Sequence, residues 1–173
     1  MDVAIKKAQA QDAADVYAIT QDAFTRYAQA LGLPNQVTAL SETVEDVLRE
    51  IANKNVLIAH ADGEAIGAIR FEVLQGGIAY LSRFGVKSTS QQGGVGKQLM
   101  HEVEVLCKQM GVKAIVLHTS SKMFPLMRFY YGLDYFVHST GTQKGYIRAL
   151  LVHELVADGT DYGQMYLDSG VDY

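Results

Sequence analysis

With 173 residues, 49% hydrophobic and 20% charged, the chain has the composition of one soluble globular domain with a substantial core. Its net charge of −4, without a basic block, argues against nucleic acid as a partner, and neither a membrane-length apolar run nor a metal-ligand spacing of histidines is present. The single cysteine, Cys107, and the lack of a signal-peptide pattern predict a reducing, cytoplasmic location without an internal disulfide framework.

The first half of the chain predicts a strand, two helices and then three strands joined by tight turns. Asp12 and Ser41 are good helix-capping residues, and the first helix is expected to end at Gly32. Asp62-Gly63 and Gly76-Gly77 are typical of turns between strands. The predicted strands are residues 3–7, 55–60, 65–74 and 80–86, and the predicted helices are residues 12–31 and 41–51.

The second half predicts helices that alternate with strands. Helices are expected at residues 94–110 and 122–131, and strands at residues 114–118, 135–138 and 146–153. The complete order, βααβββαβαββ, predicts a single domain of the α/β (α+β) class. Its mixed, mostly antiparallel sheet should contain about seven strands flanked by about four helices.

The last stretch of the chain, residues 154–173, differs in composition from the rest. It contains five acids and neither lysine nor arginine, and it shows no hydrophobic period. We therefore expect an acidic C-terminal tail at residues 154–173, beside a domain of residues 1–153. Deletion of residues 158–173 is expected to leave the fold largely stable.

A glycine-rich turn organises the middle of the chain. It follows the predicted strand Tyr80–Val86 and begins a helix at Gly94. Free N–H groups and the positive end of the helix dipole make such a turn an anion site. The three glycines among residues 93–96 let a phosphate approach the backbone, and Lys97 adds positive charge. The spacing matches neither a P-loop nor a dinucleotide fingerprint, and an ordinary turn that caps a helix is the alternative.

The pattern Gln91-x-x-Gly94-x-Gly96 resembles the acetyl-CoA pyrophosphate loop of the GNAT superfamily of N-acetyltransferases. The order of the predicted elements is also similar to that of the GNAT fold, and Val86 stands at the position of the family's valine before the loop. Residues 129–135 resemble the family's Phe/Leu-Tyr-x-x-x-Gly-Phe motif, with Asp134 in place of the glycine. Met123 stands where the family has an asparagine that helps to hold the pantetheine arm.

This resemblance implies an acetyltransferase with acetyl-CoA as cosubstrate and a primary amine of a small molecule or peptide as acceptor. Backbone N–H groups of the loop would bind the pyrophosphate, and backbone groups of Phe84 and Val86 would pair with the pantetheine arm like an added strand. The implied cofactor-binding residues are Phe84, Val86, Gln91, Gln92, Gly93, Gly94, Val95, Gly96 and Lys97.

Three side chains are candidates for proton transfer in a site of this kind. Tyr130, at the tyrosine of the family motif, is a phenol that is protonated at neutral pH and is able to donate a proton to a departing thiolate. Glu72 and His118 lie on strands expected to border the acceptor, and histidine has the better pKa for a base. A water chain is an alternative to a protein base, and a packing role is the alternative for each residue.

Other functions stay open at this point. Because Met123 and Asp134 depart from the family pattern, a non-catalytic CoA-binding or interaction domain is the main alternative, and a different nucleotide binder is a third. The sequence names no acceptor amine. It also leaves open whether the protein is a monomer or a homodimer.

Overall fold

The computed structural model describes residues 2–33 and 35–168, and of Gln92 only the backbone. The strands are β1 (Val3–Lys7), β2 (Asn55–Ala61), β3 (Glu64–Leu74), β4 (Ile78–Val86), β5 (Ala114–Ser120), β6 (Phe136–Gly141) and β7 (Arg148–Glu154). The α-helices are α1 (Ala13–Leu31), α2 (Val44–Asn53), α3 (Val95–Gln109), α4 (Phe124–Tyr131) and α5 (Tyr162–Asp168). None of these helices has the length and apolar character that crossing a bilayer requires.

The predicted order of elements and the mostly antiparallel sheet are confirmed. The seven strands follow the order β1-β2-β3-β4-β5-β7-β6. The pairs β1–β2, β2–β3, β5–β7 and β6–β7 are antiparallel, whereas β4 runs parallel to β5. Their register pairs Ile78 with Ala114 and Tyr80 with Val116, and β4 then runs on to Val86. A parallel pair needs a crossover connection, which here contains α3.

The prediction that Ser41 caps the second helix is wrong. Ser41 lies in a 3-10 turn, where its hydroxyl donates to the Thr38 carbonyl at 2.8 Å. Thr43 is the N-cap of α2 instead, because its hydroxyl accepts the Asp46 N–H at 3.1 Å. The Thr43 N–H in turn donates to the Asp46 carboxylate at 2.8 Å, which completes a capping box.

The chain divides into two compact units, residues 1–71 with 82–103 and residues 72–81 with 104–173. In the first unit, α1 and α2 pack on one face of β2 and β3. Apolar side chains recur at helical spacing on the helices, whereas β2 and β3 are buried at consecutive positions and therefore have packed residues on both faces. This core consists of Ala8, Ala13, Val16, Ile19, Val47, Val56, Ile58, Ala65 and Ala68.

Two glycines of the first unit lie where a helix approaches a strand most closely. A Cβ added at Gly67 in β3 would lie 3.0 Å from the side chain of Leu99, so α3 packs directly on this strand. A Cβ added at Gly85 in β4 would lie 2.6 Å from the Cβ of Ala23 in α1. The close packing of both helices therefore depends on the missing side chains of these glycines.

The second unit has a core to which the end of the chain contributes. α5 places two aromatic side chains, Tyr162 and Tyr166, among apolar residues of β4, β5 and β7. Tyr162 is 1% exposed and Tyr166 is 2% exposed. The single hydrogen of the Tyr162 hydroxyl has two acceptors within reach, the Val156 carbonyl at 3.1 Å and the Asp158 carboxylate at 3.0 Å, which ties α5 to the loop before it.

Residues 158–173 include α5 and its buried tyrosines, so the premise of the expected dispensability, a tail without packed structure, does not hold. The same helix raises the number of α-helices in the described chain to five, against the expected four or so. Asp172 and the other residues after Asp168 lie outside the described residues. The boundary between a domain of residues 1–153 and an acidic tail stays a prediction.

Candidate functional site

The glycine-rich turn is a helix start with exposed backbone. Residues Ser88–Gly93 form a 3-10 turn, and Gly94 has a φ of 72°, in the left-handed region that favours glycine. α3 then begins at Val95, and the Gln98 N–H makes a helical bond to the Gly94 carbonyl at 3.1 Å. The three N–H groups between Gly94 and Gln98 precede this bond, so the helix itself offers them no carbonyl. Together with the helix dipole they form an anion-binding arrangement.

The surroundings of the turn leave room for a phosphate. A Cβ added at Gly94 would meet no heavy atom within 4 Å. Val95 is fully buried, so only its backbone is able to contact a ligand, and the side chain of Gln92 lies outside the described part of the chain. The exposed members of the predicted cofactor set are Gln91, Gly93, Gly94 and Lys97.

A charged pair on α1, Asp22 and Arg26, holds the end of β4. The Arg26 guanidinium donates to the Val86 carbonyl at 2.7 Å and to the Asp22 carboxylate at 3.0 Å. Asp22 also accepts the Ser88 N–H at 3.2 Å. The spacing of four residues between Asp22 and Arg26 predicts a helical ion pair, but only the tertiary fold brings that pair to β4.

The backbone of β4 changes conformation just before the two residues predicted to pair with pantetheine. Arg83 has a φ of 50°, a left-handed conformation that a residue with a long side chain rarely adopts. Phe84 and Val86 follow it, and both side chains are half-buried. Because a carbonyl has two lone pairs, the bond from Arg26 leaves Val86 with a second acceptor position. Such strain is often found at functional sites.

A polar cavity of about 300 Å³ lies in the first unit. Its lining residues are Thr38, Ser41, Glu42, Asp46, Arg49, Glu50 and Arg83. The acids have cationic partners: Arg70 donates to both oxygens of Glu42 at 2.6 and 3.2 Å, and Lys54 lies 2.8 Å from Glu50. Arg70 of β3 also lies 3.5 Å from Glu50 of α2, so the acids of the cavity are paired and it offers a polar rather than a strongly charged surface.

Tyr130 lies on the buried side of α4 in the second unit. Its side chain is 4% exposed, and its ring contacts those of Phe129 and Tyr135, with centroids 5.4 and 5.7 Å away. The next residue, Tyr131, is 52% exposed, because successive helical positions point to different sides. The two adjacent tyrosines therefore differ in burial.

Asp134 supports the alignment of residues 129–135 with the family motif. It has a φ of 68°, in the left-handed region where the family has glycine, and aspartate is among the residues that tolerate this conformation. Gly132, the alternative match to the family glycine, has an ordinary helical φ of −65°. The backbone thus retains at Asp134 the conformation that glycine favours.

Buried titratable groups surround this aromatic cluster. Burial, followed by the neighbouring Tyr130, raises the pKa of Tyr135 well above its ordinary value. Burial also raises the pKa of Cys107 to about 12, and this thiol is fully buried, as predicted for a structural cysteine.

Among the described residues, no group of three or more His, Cys, Asp or Glu side chains is placed to hold a metal ion.

His118 lies in a second aromatic cluster of the same unit. Its Nδ1 is 2.8 Å from the Tyr80 hydroxyl, and its ring meets Tyr166 edge-on at 5.9 Å. Neither tyrosine was predicted as a partner of His118, and Tyr166 gave no signal because it lies outside every predicted element.

Glu72 is half-buried and shares a sheet face with Leu74, which packs on the core that contains Tyr80. The two base candidates therefore lie on the same face of the sheet.

The sequence matches the family model described as the acetyltransferase (GNAT) family over residues 13–135. This match covers more than half of the chain and includes the glycine-rich turn, Tyr130 and both base candidates. The chain belongs to the GNAT acetyltransferase family. No match was found among curated protein sequences.

Several known structures share the fold at low sequence identity. PaiA N-acetyltransferase from Thermoplasma acidophilum, in complex with coenzyme A, is 21% identical, with a TM-score of 0.78 over 89% of this chain and 99% of that chain. Salmonella typhimurium yncA with acetyl-CoA is 15% identical, and the Escherichia coli ribosomal-protein-S18-alanine N-acetyltransferase is 14% identical. Both have a TM-score of 0.72 over 92% of this chain and 98% of their own.

Proposed function

We propose that this protein transfers the acetyl group of acetyl-CoA to a primary amine of a small molecule or peptide. The observation that carries the proposal is the glycine-rich turn at the start of α3 in a chain of the GNAT family. Similar structures contain coenzyme A or acetyl-CoA, which supports acetyl-CoA as the cosubstrate. One similar structure is an alanine N-acetyltransferase acting on a ribosomal protein, which supports an amine as acceptor.

The first unit supplies the binding groups. The N–H groups at the start of α3 bind the pyrophosphate, helped by the helix dipole and by the charge of Lys97. Backbone groups of Phe84 and Val86 pair with the pantetheine arm, and the bond from Arg26 fixes the Val86 peptide in place. Because these contacts come mainly from the backbone, they depend on chain conformation more than on side-chain identity.

The second unit supplies the groups that move protons. An alkylamine has a pKa about three units above neutrality, so making it neutral costs about 4 kcal/mol. His118 is the proposed base that takes this proton, and Glu72, on the same sheet face, is the second candidate. The amine nitrogen then forms its bond to the acetyl carbon as the carbon–sulfur bond breaks, and the second proton that the nitrogen loses passes to solvent, from which the Tyr130 phenol is restored. Tyr130 is the proposed acid that gives its proton to the departing sulfur.

Turnover is favoured over a non-catalytic CoA-binding domain. The two departures from the family pattern that support the alternative are Met123 and Asp134. Asp134 adopts the left-handed conformation that glycine favours, so this departure leaves the local backbone intact. Met123 removes one polar side chain near the start of α4, which weakens one contact to the pantetheine arm without removing an acid or a base.

A screen of amines with detection of the released thiol tests turnover, and calorimetry with acetyl-CoA tests binding separately. Gly96→Val places a branched side chain at an ordinary helical position of the proposed pyrophosphate site, and it should weaken acetyl-CoA binding strongly in a folded protein. Ala18→Val makes a similar change at an exposed position of α1 and should leave affinity unchanged. Unchanged affinity in folded Gly96→Val would remove the turn from the site, and binding without thiol release from any amine would support the alternative.

A further inference from the structure

His118, Tyr80 and Tyr166 form a compact aromatic cluster that brings the end of the chain to a candidate base. The rings of Tyr80 and Tyr166 are stacked, with centroids 5.5 Å apart and planes 13° from parallel. The His118 ring contacts both, at 5.7 Å from Tyr80 and 5.9 Å from Tyr166. The two tyrosines are buried, at 6% and 2% exposed, whereas His118 is half-buried. The imidazole therefore packs against both rings and remains partly accessible to solvent.

The hydrogen bond between Tyr80 and His118 decides which nitrogen is able to act. The Nδ1 and the Tyr80 oxygen are 2.8 Å apart, so Nδ1 either donates its hydrogen to the phenol oxygen or accepts the phenol hydrogen. In the first case the basic lone pair is on Nε2. In the second case Nε2 carries the hydrogen, and the lone pair of Nδ1 is directed at the Tyr80 hydroxyl. A base that acts directly through Nε2 thus requires Nδ1–H to donate to Tyr80.

We propose that Tyr80 and Tyr166 are positioning residues for His118, which hold it as the Nδ1–H tautomer with Nε2 as the atom that accepts the proton. This inference rests on the proposed function, and it extends that function to two residues outside the family motifs. Tyr80 fixes the tautomer through its oxygen. Tyr166 holds the Tyr80 ring by stacking and limits rotation of the imidazole from the other side.

Two neighbouring strands each place a charged residue on the sheet face that carries this aromatic cluster. By strand alternation, Glu72 of β3 and Arg148 of β7 share this face with His118. From α5, Asp161 is 3.0 Å from His138 and is thereby engaged elsewhere. These groups influence the charge of His118, whereas the hydrogen bond at Nδ1 joins the imidazole to Tyr80, so the tautomer reports on the Tyr80 hydroxyl.

Nitrogen NMR of the His118 imidazole in the full-length protein measures the tautomer without any assay of activity. We expect the hydrogen on Nδ1 in the wild type, and a mixture of both tautomers in Tyr80→Phe, which removes only the hydroxyl. Tyr162→Phe is the matched control, because it removes a hydroxyl from an equally buried tyrosine of the same core without a contact to His118. A wild-type hydrogen on Nε2, or the same tautomer in Tyr80→Phe as in the wild type, would overturn the inference.

Kinetics with an acceptor from the amine screen then separate positioning from packing. In Tyr80→Phe we expect kcat to fall by about tenfold to a hundredfold with the KM for acetyl-CoA unchanged, since a misplaced base loses part of its contribution. The fall in kcat at acidic pH, which is expected when the base becomes protonated, should persist in Tyr80→Phe and disappear in His118→Gln. Tyr166→Leu should lower kcat less, and Tyr162→Phe should not lower it. A wild-type kcat in Tyr80→Phe contradicts the inference, whereas a correct tautomer without turnover of any amine contradicts the proposed function alone.

Discussion

The two units contribute different kinds of chemistry to the proposed function. In the first unit the candidate groups belong to the backbone, at the end of β4 and at the start of α3, and the side chain of Val95 is buried beneath them. In the second unit the candidate groups are side chains, and both Tyr130 and His118 are held by other aromatic rings. Binding is thus assigned to chain conformation, and proton transfer to individual atoms.

This difference predicts how each unit responds to mutation. A backbone site is lost when a glycine can no longer adopt its conformation or when added atoms fill its space. A side-chain site is lost when one oxygen or nitrogen is removed, even if packing is unchanged. Variants of the first unit should therefore change affinity for acetyl-CoA, and variants of the second unit should change kcat.

Tyr130→Phe is the sharpest test of this division and has the largest expected effect. It keeps the ring and its contacts with Phe129 and Tyr135 but removes the proton. Turnover should fall by about 10²–10⁴, the range for general acid catalysis, with acetyl-CoA binding retained. Tyr131→Phe deletes the same oxygen at an exposed position and should change turnover little. Equal rates for Tyr130→Phe and the wild type would mean that solvent or the acceptor supplies the proton.

Tyr162→Ala tests the structural contribution of the tail to the second unit. Removing a fully buried aromatic side chain should lower the free energy of unfolding by about 3–5 kcal/mol, as measured by denaturant titration. Leu167→Ala changes a residue of the same helix that is 52% exposed, so it should have little effect. Similar stability of the two variants would show that the core of the second unit does not depend on α5.

Gly85→Ala tests the packing of α1 on β4 in the first unit. The new Cβ would lie 2.6 Å from the Cβ of Ala23, so helix and strand must move apart at a cost of about 1–3 kcal/mol. Gly132→Ala is the control, because its Cβ would meet only backbone oxygens at 3.4 and 3.5 Å. Since Gly85 lies between the two pantetheine-pairing residues, affinity for acetyl-CoA should fall together with stability. A stable Gly85→Ala protein with full affinity would contradict this packing.

Acidification is expected to have the smallest effect on α5, where two carboxylates have lowered pKa values. The hydroxyl and N–H of Thr160 hold the pKa of Asp158 at about 2, and the Gln164 N–H lowers the pKa of Asp161. Both pKa values are depressed in the folded state, so the stabilisation is present above the ordinary value of 3.8 and is lost as the pH falls through that value toward about 2. NMR signals of Tyr162 should report loosening of α5 in this window.

Asp158→Asn should weaken the dependence of the α5 signals on pH, because it removes a carboxylate that also accepts the Tyr162 hydroxyl. Asp15→Asn, an exposed position of α1, should leave that dependence as it is in the wild type. An unchanged pH response in Asp158→Asn would show that this carboxylate does not hold the tail helix.

Much of the fold was predictable because its signals are local. The strand at residues 3–7 and the turns at Asp62-Gly63 and Gly76-Gly77 follow from alternation and turn chemistry, and the order of elements is confirmed. The cap at Ser41 was predicted wrongly because two hydroxyl residues lie close together. Only the second, Thr43, has an acid three residues later to complete the capping box.

The sequence by itself determined the family and the backbone half of the proposed site, since glycine spacing at a helix start is a local property of the chain. Only the tertiary structure decided that Arg26 holds Val86 and that Tyr80 and Tyr166 surround His118. These contacts join residues far apart in the chain, and a short helix such as α5 is too brief to show a hydrophobic period. The tyrosines of α5 are buried because the strands of the second unit present an apolar face to them. No local pattern in the tail sequence encodes that face.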